Sequence, residues 1–211
     1  MPSTPKRRDE LSRALRQHKQ RAAQFGFAMV GSRNLHRVQV DILNVVNFQM
    51  SAGGSGDFCV NVAAFTMSGN NAATLQPGFR LRREDGAEMW LPSFTEQKAM
   101  TSVDTAWRAI ELQALPWLEQ NSTLQGHLAV LQRENWGSEH HRRFQIAIVE
   151  GLLGRPQEAI ASLSTAIRLY TDDGRNWCAA YIERAEALID ALKAGTALTV
   201  LDQWRSENYS I

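Results

Sequence analysis

Apolar and polar positions follow two different periods along this chain, and the period changes near residue 100. Over residues 9–25 apolar side chains recur at three- and four-residue spacing. Leu11, Ala14, Leu15, Ala22 and Phe25 share one side with His18, while Arg13, Arg16, Lys19, Gln20 and Arg21 occupy much of the rest. That is the signature of an amphipathic helix, closed by Gly26. Residues 27–33 read as a first strand. Residues 38–50 read as one long strand, with Val38, Val40, Ile42, Val46, Phe48 and Met50 at even positions. Leu43 and Val45 on the odd side indicate cover on both faces along part of its length. Residues 52–56, AGGSG, link it to a second β-rich run over 57–65, so the pair reads as an antiparallel hairpin. Short β-like runs at 79–83 and 88–91 flank an Asp85-Gly86 turn, with Pro92 closing the last strand.

From Ser102 the period is helical. Val103, Ala106, Trp107, Ile110 and Leu112 make an apolar stripe that runs to Leu115 and is interrupted at Pro116. Further helices are predicted over 123–132, 140–153, 157–170, 177–193 and 197–205, separated by Gly154-Arg155-Pro156 and Asp172-Asp173-Gly174. The fold class is therefore α+β: an N-terminal helix and an antiparallel sheet of three to four strands, followed by an all-helical C-terminal half. Residues 9–100 form the helix-plus-sheet part, and residues 101–211 are expected to pack on it as antiparallel helices.

Amides interrupt the apolar strands. Asn44, Asn47, Gln49 and Asn61 sit inside runs that otherwise read as core. Buried amides need partners, so Asn47, Gln49 and Asn61 predict a specified polar cluster with a structural role.

Composition narrows the class. The chain has 211 residues, 44% hydrophobic and 21% charged, which is ordinary for a soluble globular protein. No apolar run is long enough to span a bilayer, and the charged start has no following apolar signal region, so a cytoplasmic setting is expected. The net charge of +1 is unevenly spread. Residues 1–37 hold nine Lys/Arg against two Asp/Glu, a local +7 on a mildly acidic body. Such a segment can touch nucleic acid, an acidic protein or the body itself, and a solvated helix face is the plain reading. Cys59 and Cys178 lack CxxC spacing and read as buried free thiols.

Two resemblances follow. Phe25-Gly26-Phe27, the run from Val45 to Ser51, Phe58-Cys59-Val60-Asn61-Val62, the arginine strand with Trp90, and Leu115-Pro116-Trp117-Leu118 together resemble the bacterial family called domain of unknown function 4304. The likeness covers roughly residues 9–132 and implies a fold rather than a chemistry. Gly154, Glu158-Ala159-Ile160, Ala166 and Trp177 are similar to tetratricopeptide-like helical hairpins. Arg143 and Glu150 stand where that repeat has aromatics, so one or two hairpins are expected rather than an array.

The candidate chemistry is sparse. AGGSG joins strands instead of opening a helix, which does not suit a phosphate cradle. His140 and His141 are adjacent, so on a helix they diverge by about 100° and read as N-terminal polar residues. No metal, cofactor or catalytic residue is assigned. Arg80, Arg82 and Arg83 beside Trp90 are the concentrated arginine/aromatic cluster and the candidate partner-binding residues; a cross-strand ladder with Glu84, Asp85 and Glu88 is the plain alternative. The expected function is non-enzymatic binding of another protein, in its sharpest form an immunity protein neutralising a bacterial toxin or effector. The rivals are an enzyme using the polar sheet face, and a nucleic-acid binder using the basic N-terminal helix.

Overall fold

The computed structural model describes residues 9–69, 77–134 and 136–209. The loop expected at 70–78 and the tail at 1–8 lie largely outside them. Elements follow in the order α1 (Glu10–Gln17), α2 (Lys19–Gln24), β1 (Ala28–Val30), β2 (Asn34–Gln39), β3 (Ile42–Met50), β4 (Asp57–Thr66), β5 (Gly78–Arg80) and β6 (Leu91–Pro92). Then come α3 (Glu96–Ala109), a π-helical turn (Ile110–Ala114), α4 (Leu115–Gln120), α5 (Leu124–Arg133), α6 (Glu139–Leu152), α7 (Pro156–Asp173), α8 (Cys178–Ala194) and α9 (Ala197–Asn208). The α+β class holds. The sheet has six strands in the order β1-β2-β3-β4-β5, with β6 also paired to β4.

Three sequence expectations need correction. The long strand over 38–50 is two strands, turned at Val40 and Asp41. Val40 holds φ 55°, a left-handed conformation that a β-branched residue rarely adopts. No Asn or Gly marked that turn, so the alternation ran on through it. Second, the helix expected from Ser102 starts at Glu96, because the Thr95 side chain accepts from the Lys98 N–H and caps it. It also continues through Pro116. A π-helical turn precedes that proline, with the Leu115 N–H donating to the Ile110 carbonyl, and re-spaces the ladder where proline offers no donor. The same turn rotates Leu112 outward to 78% exposure. Third, the last strand, expected over 88–91, is confined to Leu91 and Pro92, which pair with Phe58 and Asp57 of β4, while Glu88 forms an isolated bridge to Arg82; Pro92 is its final residue, as expected.

The chain divides into two compact units. Unit 1 contains residues up to Arg37, Val45–Val62 and Phe79–Trp117. Its core includes Leu11, Leu15, Phe48, Phe58, Trp107 and Ile110. Asp9 caps α1 by accepting from the Ser12 N–H, and α1 packs along α3. His18, at the break between α1 and α2, reaches the Ala14 carbonyl and Asp104, each at 3.0 Å.

Unit 2 contains Val38–Asn44, Ala63–Gly78 and the chain from Leu118 onward. Here α6, α7, α8 and α9 close around Phe144, Ala147, Leu163, Ala166, Leu188 and Leu201. A smaller cluster of Leu128, Leu131, Ile146 and Val149 lies between α5 and α6. Gly174 and Gly195 end α7 and α8 in the left-handed conformation that favours glycine. Arg205 of α9 binds Asp41 at 2.7 Å, and the Asn208 amide donates to the carbonyls of Met67 and Gly69.

Candidate functional site

The amides predicted to cluster do meet, as one row across the sheet of unit 1. Asn47 donates to Asn34 Oδ1 at 2.7 Å; Asn61 Nδ2 donates to Asn47 Oδ1 at 3.2 Å and to Gln49 Oε1 at 2.8 Å. Asn61 Oδ1 in turn accepts from Arg80 Nε at 3.1 Å. An arginine can only donate, so Arg80 fixes which end of the Asn61 amide faces it. That choice turns Nδ2 toward Asn47 and Gln49 and sets the direction of every bond back to Asn34. Antiparallel strands make the row possible, because side chains of one parity on β2, β3, β4 and β5 fall on one face.

Burial is graded along the row. Asn61 is 9% exposed, Asn47 and Arg80 are half-buried, and Gln49 and Trp90 are exposed. Gln49 is thus hydrogen-bonded as expected but lies at the wet edge of the cluster. At the open end Arg80 Nη1 donates to Glu88 at 2.6 Å, and its guanidinium lies 5.2 Å from the Trp90 ring centroid. The Trp90 indole N–H donates to the same Glu88 carboxylate at 3.3 Å. The hydrogen bond from Arg80 holds that carboxyl below its usual range.

The other candidate arginines are engaged locally. Arg82 donates to the Gly86 carbonyl, and its backbone N–H and carbonyl are both gripped by Gln113 on the π-helical turn. Arg83 pairs with Asp85 at 2.8 Å across the turn. The structure therefore unites Arg80 with Trp90 and directs Arg83 elsewhere. Asn34 and Glu88 complete the row; Glu88 is the cross-strand partner that the sequence offered for the arginines, whereas Asn34 was not singled out. Had the turn at Val40 been read, counting outward from it would have set Asn34 against Asn47. A second exposed ring, Phe94, carries Lys98 Nζ at 4.1 Å from its centroid, four residues beyond Trp90.

The basic start is also engaged. Arg13 pairs with Glu10, Arg21 with Glu111 and Arg33 with Asp9, at 2.9, 2.8 and 2.7 Å. Arg37 is 9% exposed and lies over the Phe27 ring.

Unit 2 holds a different polar cluster. His140 stands in the first turn of α6, as expected, but is buried, at 7% exposure. Its ring lies 4.6 Å from those of His141 and Tyr170, and His141 stacks on Trp177 at 5.2 Å. The Tyr170 hydroxyl bonds His141 Nδ1 at 2.7 Å. Burial pushes the tyrosine up, so it stays protonated and donates; burial pushes His141 down to about 4, so it is neutral and accepts. Tyr181 closes the cluster. Cys59 and Cys178 are buried free thiols. Among the described residues no group of three His, Cys, Asp or Glu could hold a metal ion, and no helix is long and apolar enough to cross a membrane.

Residues 20–120 match the model of the domain of unknown function 4304 family. The match runs from α2 to the end of α4 and encloses the whole amide–arginine row, the Trp90 pair and Phe94. Comparison with curated proteins and with solved structures gave no match. The family segment thus contains the site described in unit 1, while α5 to α9, with the histidine–aromatic cluster, lie beyond it.

Proposed function

We propose that this is a non-enzymatic protein-binding protein and that the open end of the amide–arginine row is its docking surface. The observation that supports this is the Arg80–Trp90 pair: a 41% exposed indole, capped by a guanidinium that Asn61 and Glu88 hold in place. Arginine and tryptophan are the residue types that most often dominate protein interfaces. An aromatic anchor already ordered in the free protein loses little side-chain entropy on binding. Phe94 under Lys98 extends the same kind of surface within unit 1. The ion pairs that engage Arg13 and Arg21 inside unit 1 reduce the charge that the basic helical segment offers a phosphate backbone, while Arg16 and Lys19 stay exposed on it.

The sharpest form of the reading is an immunity protein in a bacterial cytoplasm, neutralising a toxin or effector encoded nearby. The test is capture of the partner by the full chain, purification, and titration against Trp90→Ala and Arg82→Glu. Trp90→Ala should weaken binding at least tenfold with the melting curve unchanged, and Arg82→Glu should mainly slow association. Full affinity in a folded Trp90→Ala variant excludes this surface. Turnover of a small molecule by purified protein excludes the non-enzymatic reading.

A further inference from the structure

A second surface, in unit 2, has a charge character that the sheet row lacks. Between the last turn of α5 and the first turns of α6 lies an open groove of about 520 Å³. Its walls are Gln132, Arg133 and Glu134 on one side and Arg142 and Arg143 on the other, with Ile146 as the apolar contact. Three guanidinium groups thus face one carboxylate. Ile146 also belongs to the apolar cluster on which Trp136 packs, so the groove rests on a packed layer.

One donor at the groove wall, Arg143 Nε, is buried without an acceptor. Arg143 reaches Glu139 through Nη2 at 3.4 Å, which leaves its Nε unsatisfied. The rest of the Arg143 side chain is open, at 42% exposure, so an arriving carboxylate can reach its outer nitrogens in a charge-assisted hydrogen bond. The α6 N-terminus adds partial positive charge beside Arg142 and Arg143.

We propose that this groove docks an acidic segment of a protein partner. The alternation of charge decides between polyanions. Glu134 lies within the groove and Glu139 beside it, so an evenly charged phosphate backbone meets repulsion that a peptide with spaced carboxylates avoids. No aromatic face lines the groove on which a base could stack. This inference does not rest on the sheet surface, and the two use different residues.

The test is fluorescence anisotropy of a labelled ten-residue glutamate peptide with the full chain, at low and at physiological salt. The peptide should bind and weaken several-fold as salt screens the contact. Arg142→Glu with Arg143→Glu should lower affinity at least tenfold, and Arg133→Gln with Arg142→Gln at least threefold. The glutamine pair keeps side-chain bulk, so it decides the matter if the reversal unfolds the protein. Lys193→Glu, at an exposed position of α8 outside both surfaces, should bind the peptide as the unaltered chain does. The proposal is overturned by absence of peptide binding, or by undiminished binding in the folded glutamine pair. Tighter binding of a twenty-nucleotide oligothymidylate, lost in the same variants, also overturns it in favour of nucleic acid.

Discussion

Trp90 and Trp177 look alike in isolation and differ in what lies beneath them. Each is partly exposed, at 41% and 38%, and each carries an arginine, at 5.2 and 4.7 Å from its ring centroid. Trp90 stands at the open end of a hydrogen-bonded row whose outer members are wet. Trp177 covers a closed cluster, stacked on His141 and edge-on to Tyr170 and Tyr181. Exposure alone therefore does not mark a binding residue. An anchor has a pre-ordered polar support and a free face, whereas a lid has its apolar contacts already made. Unit 1 keeps its polar groups in a sheet face and in ion pairs; unit 2 buries histidine and tyrosine among aromatics.

The largest effect should come from the closed cluster. Tyr170→Ala removes a fully buried ring and the bond to His141, and should cost about 3–5 kcal/mol in denaturant unfolding. In the open row, Asn61→Leu leaves Asn47, Gln49 and Arg80 without a shared partner and should cost about 1–3 kcal/mol. A smaller loss for Tyr170→Ala than for Asn61→Leu would reverse the contrast.

Acid should separate the units next. Burial lowers His127 to about 3 and His141 to about 4 from 6.5, and lowers His140 as well. The unfolded chain takes up these protons near pH 6.5 while the folded one refuses them. The stability this gives is complete above pH 6.5 and declines as pH falls from there toward 4, by up to about 1.4 kcal/mol per pH unit for each histidine. Unit 1 has only His36 shifted in this way among its described residues. Its lowered carboxyls, Asp9, Asp85, Glu88 and Asp104, give stability that is lost only as pH falls below about 4. Hydrogen exchange at pH 5 against pH 7.5 should show α6, α7 and α8 loosening before the sheet row does. The smallest effects lie at exposed positions. Gln49→Leu should change stability by less than about 0.5 kcal/mol, because the amide is exposed. Val40→Gly should stabilise by about 1 kcal/mol by relieving the left-handed φ.

Each of these features differed in how much of itself it showed in sequence. The helices of unit 2 were legible because apolar spacing, Pro156 and Gly174 mark them locally. The amide row was half legible: polar residues within apolar strands flagged Asn47, Gln49 and Asn61, but Asn34 joins only through a turn that no residue type announced. Pro116 misled because a π-helical turn absorbs its missing donor, and that compensation has no signature in spacing. The His140–His141 cluster was illegible because its partners at 170, 177 and 181 come from other helices. Their place in the first turn of a helix was legible, but their burial follows only from packing α7 and α8 on α6.

The central claim is that Trp90, and not Trp177, is an interaction anchor. Calorimetric titration of the purified partner into Trp90→Ala and Trp177→Ala, each paired with a melting curve, tests it most directly. The account predicts at least a tenfold loss of affinity with unchanged melting for Trp90→Ala, and a lowered melting temperature with undiminished affinity below it for Trp177→Ala. Undiminished affinity in Trp90→Ala together with lost affinity in a folded Trp177→Ala would contradict it.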